Sequence, residues 1–176
     1  RLTDGSLYKI HVHGENGWRD RIPAYAKRVV QDDKTKNYTA QFVIDKPYDW
    51  KHDNFRAPQV GELVIYEAHV GMAQEREGVG TYVEFRDEVL PRIKAAGYNA
   101  VQLMAIAEHP YYGSFGYHVS SFFAPSSRFG TPDELRSLVD RAHELGIAVI
   151  MDLVHAHYVK NFDEGINELD GSKHHY

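Results

Sequence analysis

Apolar and polar residues alternate along Leu7-Tyr-Lys-Ile-His-Val-His13, which predicts a strand with one face buried. Gly14-Glu-Asn-Gly17 then predicts a turn. Arg28–Gln31, the polar stretch Asp32–Asn37 and Tyr38–Ile44 have the rhythm of strand, turn and strand. These few strands bury little by themselves, so they are expected to be the latter part of an antiparallel sandwich. Lys46–Asn54 is a polar connection rich in aromatic residues, and Ala57-Pro58 marks a boundary.

From Gly61 the pattern becomes strand, helix, strand, helix, strand. Leu63–Tyr66 is expected to be a first buried strand leading to Glu67, His69 and Gly71. Thr81–Ala96 predicts a helix with Thr81 as N-cap, Glu84 placed for a capping box, and Phe85, Val89 and Ile93 along one face. Pro91 has no N–H to donate and is expected to kink or break this helix, and Gly97 can supply its left-handed stop. Ala100–Met104 predicts the second strand, followed by a long segment up to Gly130. Thr131-Pro-Asp-Glu134 is a helix start, with a capping residue, proline at the first helical position and acids in the first turn. Leu135, Leu138, Val139, Ala142 and Leu145 form its expected buried stripe, and Gly146 ends it. Ile147–Met151 is the third strand, an apolar run expected to be buried on both faces.

Strands that alternate with helices imply parallel pairing through right-handed crossovers, so the fold class is α/β. A (β/α)8 barrel takes about 250 residues, and three strands appear by residue 153. The choice lies between a small open sheet and the first part of a larger barrel. The chain starts at Arg1 without Met, enters strand-like sequence at once and ends abruptly at Tyr176, which favours part of a longer protein.

Composition changes this picture little. Apolar residues make up 43% and charged residues 26%, ordinary for a globular protein. A net charge of −5 and a pI near 6.1 give no reason to expect nucleic acid or an anionic membrane as partner. The absence of cysteine excludes a disulfide framework and a thiolate zinc site, and agrees with a cytoplasmic location. No apolar run approaches the roughly 20 residues that span a bilayer, and no signal peptide is visible. Twelve tyrosines suit a protein that meets sugars, or simply one with a Tyr-rich core.

In a parallel sheet wrapped by helices, polar groups gather at the carboxyl ends of strands. Three such ends are expected to share one rim. The first brings Glu67 and His69; the second brings Glu108, His109 and the Gly/Tyr-rich loop Pro110–His118; the third brings Asp152, His155 and His157. Loops longer than about 12–15 residues in compact domains are usually functional or disordered. Tyr111, Tyr112, Phe115, Tyr117, Phe122 and Phe123 make this one too aromatic for disorder, and these rings either meet a ligand or pack the mouth of the sheet. His155-Ala-His157 also admits a metal-dependent hydrolase, since imidazole is the commonest metal ligand. Such a site needs further ligands from later strands, and for His155 alone a structural role is favoured.

Tyr66-Glu-Ala-His-Val-Gly71, Ala100-Val-Gln-Leu-Met-Ala-Ile106, Tyr112-Gly-Ser-Phe-Gly-Tyr-His118, Ser127-Arg-Phe-Gly-Thr131 and Asp152-Leu-Val-His-Ala-His157 together resemble the start of the catalytic domain of α-1,4-glucan branching enzymes, in the α-amylase superfamily. The resemblance implies the first three βα units of a (β/α)8 TIM barrel in residues 61–176. It also implies the C-terminal strands of a carbohydrate-binding-module-like β-sandwich in residues 1–54, with 55–60 as linker. It implies that Asp152 holds the active-site hydrogen-bond network, that His157 bonds the sugar in the cleavage subsite and that Tyr117 is the aromatic platform beneath that sugar. Tyr112, His118 and Glu108 are further candidate glucan contacts. Ala156 stands where many amylases have a calcium-holding Asn, which points towards branching enzymes and away from calcium-dependent amylases. No cofactor or metal is expected, and the partner is an α-1,4-glucan such as glycogen, amylose or a maltooligosaccharide.

The family reaction is a retaining double displacement, which needs a carboxylate nucleophile and a carboxylic acid/base. In the family these come from the fourth and fifth strands, and no matched motif of this chain contains them. The expected activity of the parent is therefore α-1,6 branching of an α-1,4-glucan, with a hydrolytic amylase-type glycosidase as the alternative. These 176 residues alone are expected to be inactive.

Overall fold

The computed structural model describes residues 1–44 and 46–174. In chain order the elements are β1 (Leu7–Tyr8), β2 (Ile10–Gly14), β3 (Gly17–Arg21), β4 (Val29–Gln31), β5 (Tyr38–Gln41) and β6 (Ile65–Ala68). A helix in three stretches follows: α1 (Tyr82–Glu84), a π-helical turn (Phe85–Val89) and α2 (Leu90–Ala95). Then come β7 (Ala100–Leu103), β8 (Ala107–Glu108), β9 (Ser121–Pro125), α3 (Pro132–Glu144) and β10 (Ala148–Met151). Contacts group residues 1–44, 107–127 and 154–174 into one unit and 46–106 and 128–153 into a second.

In the first unit the strand expected over residues 7–13 divides at Lys9. β1 pairs antiparallel with β5, whereas β2 pairs antiparallel with β3, from Ile10↔Arg21 to Gly14↔Gly17. Residues 17–21, which their polar pattern leaves unassigned, are thus a strand. Gly17 closes the hairpin turn with a left-handed φ of 87°. β4 and β5 pair as their sequence predicts, joined by a turn in which Asp32 Oδ1 accepts from the backbone N–H of Thr35 at 2.7 Å and of Lys34 at 3.0 Å. Ile22, Ala26, Val29, Tyr38, Ala40 and Ala124 form the core of this unit, with Tyr8 packed against it.

The second unit is built on a parallel sheet in the order β10-β7-β6. Thr81 caps its first helix as expected: its hydroxyl accepts from Glu84 N, and Glu84 returns a carboxylate to Thr81 N. Pro91 does not break the helix. The turn before it widens to π geometry, with Leu90 N donating to Phe85 O, which relieves the clash a proline ring makes with the carbonyl four residues back. α3 also starts in a capping box, Thr131 with Glu134. Thr131→Ala should cost about 1 kcal/mol in urea unfolding, and Thr131→Ser much less.

Two burial expectations are corrected. Leu63–Tyr66 was expected to be enclosed, but Ile65 is 44% exposed and Val64 and Tyr66 are exposed too. Likewise Ile147 and Ala148 are buried, while Val149 and Ile150 are only half-buried and Met151 is 47% exposed. β6 and β10 are the edges of this three-stranded sheet, and only the central β7 is well enclosed, with Ala100, Val101 and Leu103 buried. An apolar run reports burial available to a strand, not its place in the sheet.

Candidate functional site

The parallel register of the second unit sets three strand ends level, since Ala68 and Met151 are both paired with Leu103. Just past these ends Met104 N donates to Ala68 O at 3.0 Å and Asp152 N to Leu103 O at 3.2 Å. Asp152 therefore sits half-buried one residue beyond the strand, its backbone fixed to the neighbouring strand. His69 is buried at the first end, edge-on to Phe129 at 5.5 Å, and burial pushes its imidazole below the ordinary histidine value. Glu67 is exposed and accepts from Gln102 Nε2 at 3.3 Å.

The aromatic segment belongs to the first unit, and it contains more regular structure than a loop. β8 and β9 pair antiparallel, and between them Tyr112–Ser114 forms a 3-10 turn. The turn ends in two left-handed residues, Phe115 (φ 55°) and Gly116 (φ 90°), and Tyr117 N donates to Ser114 O at 3.0 Å. This brings the chain back so that Val119 forms a parallel bridge with Tyr158: Val119 N donates to His157 O at 3.3 Å and Val159 N to Val119 O at 2.9 Å. The residues immediately before the two bridge positions are His118 and His157, both exposed. The bridge thus brings the Tyr117–His118 turn beside His157, while Tyr112 and Tyr117 are half-buried.

Glu108 is only 1% exposed. Its carboxylate accepts from Ser127 N at 2.8 Å, His109 N at 3.2 Å and Ser126 Oγ at 3.4 Å, and its carbonyl accepts from Ser120 N and Ser120 Oγ. Its acceptors are turned to the aromatic segment's own backbone and hydroxyls. His155 is exposed with its ring 6.1 Å from that of Phe122. Among the described residues no three His, Cys, Asp or Glu side chains are grouped to hold a metal, and His155 and His157 have no such third partner.

One residue of this neighbourhood escapes sequence reasoning: Arg21, 1% exposed at the end of β3. Its signal was present in the two-residue period, which turns Gly17, Arg19 and Arg21 inward and Trp18 and Asp20 outward.

The family model described as "Alpha amylase, catalytic domain" matches residues 77–176. The chain is 53% identical over 179 residues to the 1,4-alpha-glucan-branching enzyme 2-2, chloroplastic/amyloplastic, of Arabidopsis thaliana, covering 99% of this chain and 22% of that protein. It is 50% identical over 177 residues to the 1,4-alpha-glucan-branching enzyme of Dictyostelium discoideum, covering 99% of this chain and 26% of the relative. The chain thus spans about a quarter of the length of these curated relatives. Among solved structures, an α-amylase-like protein from Salmonella typhimurium superposes with a TM-score of 0.73 at 22% identity, over 88% of this chain and 25% of its own, a likeness of fold.

Proposed function

We propose, since the chain belongs to the family of α-amylase catalytic domains, that its parent protein is a 1,4-α-glucan branching enzyme. The likeness to branching enzymes over nearly the whole chain carries this reading. Residues 61–176 would then be the first three βα units of a (β/α)8 barrel and residues 1–54 the end of a carbohydrate-binding β-sandwich, joined by 55–60. A cytoplasmic site in the cell and an α-1,4-glucan partner belong to the same proposal. No helix among the described residues is long and apolar enough to cross a membrane.

In the retaining reaction a carboxylate attacks the anomeric carbon as an acid protonates the departing glucan oxygen. The glucosyl-enzyme is then attacked by an acceptor 6-hydroxyl that gives its proton to the same group. No matched motif here carries either reacting carboxylate, so the chain's own residues hold sugar rather than cut its bond. The ring face of Tyr117 would cover the apolar C–H side of a glucose, and His157 would address its hydroxyls. The role proposed for Asp152 is to hold the active-site hydrogen-bond network. His118 and Tyr112 stand close along the same turn as further contacts.

The deciding experiment incubates the complete protein with amylose and follows linkages by NMR. New α-1,6 linkages support the reading, and chain shortening alone would overturn it in favour of a hydrolase. In the same assay Tyr117→Ala should raise KM about five- to tenfold, the loss of roughly 1 kcal/mol of ring contact, with an unchanged far-UV spectrum.

A further inference from the structure

Arg21 is the largest cation in the interior of the first unit, and its partners lie far along the chain. A guanidinium keeps its charge and presents five N–H donors, so burying one is costly unless acceptors meet it. Here Nη1 donates to Glu168 O at 2.5 Å, and Nη2 to Asn167 O at 2.6 Å and Gly165 O at 3.0 Å. Arg19, on the same face of the hairpin, adds a second hold: it approaches the Glu168 carboxylate at 3.7 Å and lies over the Phe162 ring at 4.9 Å. Glu168 itself is left-handed, with φ 47°, a conformation that needs outside support in a residue with a Cβ.

The gripped segment leads back to the candidate site through contacts of one kind after another. Gly165 lies so close to Val159 that an added Cβ would be 2.7 Å from Val159 Cγ2 and 2.9 Å from its carbonyl. Gly165 N donates to Asn161 O and Asn167 Nδ2 to Lys160 O, so residues 159–167 form a compact knot. Val159 N in turn donates to Val119 O, and Val119 N to His157 O.

We infer that Arg21 is a positioning residue: through Gly165 and Val159 it fixes the bridge that presents His157 beside the Tyr117–His118 turn. This rests on the reading of Tyr117 and His157 as sugar-holding groups. Lysine would keep the charge but place it at one point, so it cannot span three carbonyls, whereas methionine removes it altogether.

The test uses Arg21→Met and Arg21→Lys in the complete protein, with two readouts. Amide hydrogen exchange at Val119 and Val159 should quicken about tenfold in Arg21→Met, while Val101 and Leu103 in the other unit keep their rates. KM for amylose should rise about fivefold with kcat within about twofold, and Arg21→Lys should recover part of both effects. Unchanged exchange at Val119 and Val159, or faster exchange with an unchanged KM, would overturn the inference. Should Arg21→Met fail to fold, Arg21→Lys carries the same two readouts with smaller shifts. Should wild-type protein fail to act on amylose, the function reading falls, and the exchange rates still decide whether Arg21 holds the bridge.

Discussion

Gly171→Ala should destabilise the first unit by about 3 kcal/mol or more, the sum of a backbone clash and a left-handed conformation. Gly171 has φ 79°, and a Cβ there would stand 2.5 Å from Gly14 Cα and 3.1 Å from Gly14 N. The reverse substitution meets the same wall: a Cβ on Gly14 would lie 2.4 Å from Gly171 Cα and 2.8 Å from Asp170 O. Both obstacles are backbone, so no rotamer change relieves them. Gly5 supplies the control, because it has φ 82° with nothing within 4 Å of an added Cβ. Gly5→Ala should therefore cost only the conformational part, about 1–2 kcal/mol. Urea unfolding of the three variants separates the two contributions. If Gly171→Ala costs no more than Gly5→Ala, the hairpin and the 165–171 segment do not approach this closely in solution.

The second large effect is expected at Asp140, whose buried carboxylate holds the connection before the parallel sheet against α3. Its Oδ1 accepts from His52 N at 2.9 Å, Lys51 N reaches both its oxygens at 3.2 Å, and His52 Nδ1 lies 3.3 Å away. Burial pulls its pKa up, but the donors from Lys51 and His52 pull harder, and the net shift is downward. Asp140→Ala leaves the part-buried N–H groups of Lys51 and His52 without this acceptor and should cost about 1–3 kcal/mol at neutral pH. A carboxyl with a depressed folded pKa stabilises fully above its unfolded value near 4 and loses this as pH falls through the folded value. The gap between wild type and Asp140→Ala should therefore be widest at neutral pH and close below about pH 4. His143, stacked on Phe55 at 4.4 Å, is also pushed down, first by burial. Its neutral form contributes above the ordinary histidine value near 6.5 and that contribution fades as pH falls towards its folded value. Acid thus loosens this region in two steps. A gap between wild type and Asp140→Ala that stays constant from pH 7 to about 3 would show that the carboxylate is not what holds residues 51 and 52.

What the chain reveals before folding is mostly what short segments decide alone. Thr131-Pro-Asp-Glu134 names the start of α3 because cap, proline and acids act within one turn, and Thr81 with Glu84 does the same for the first helix. The widened turn before Pro91 was not legible, since proline can be accommodated by a kink, a break or an extra residue per turn, and packing chooses among them. β3 was hidden because its inward positions hold Arg19 and Arg21: Arg21 donates to backbone carbonyls, and Arg19 meets the Glu168 carboxylate and the Phe162 ring, where a hydrophobic residue would ordinarily pack. At the candidate site, Asp152 at a strand end followed from the apolar run before it. The bridge of Val119 with Tyr158 did not, because a parallel pairing between two loops leaves no period in either. Nor did the enclosure of Glu108, whose partners Ser126 and Ser127 come from the far side of β9.

The interleaving of the two units has a consequence for the order in which the protein can be made. During synthesis the hairpin of β2 and β3 emerges early, yet Arg21 is separated by 144 residues from the carbonyl of Gly165 that helps neutralise its burial. Until then that guanidinium stays in water, and the hairpin lacks one side of its packing. β6, β7 and β10 have all emerged by residue 151, while the first unit still awaits residues 154–174. Of the elements described, the hairpin of β2 and β3 therefore emerges before all three parallel strands, yet meets the carbonyls that take up Arg21 only after them.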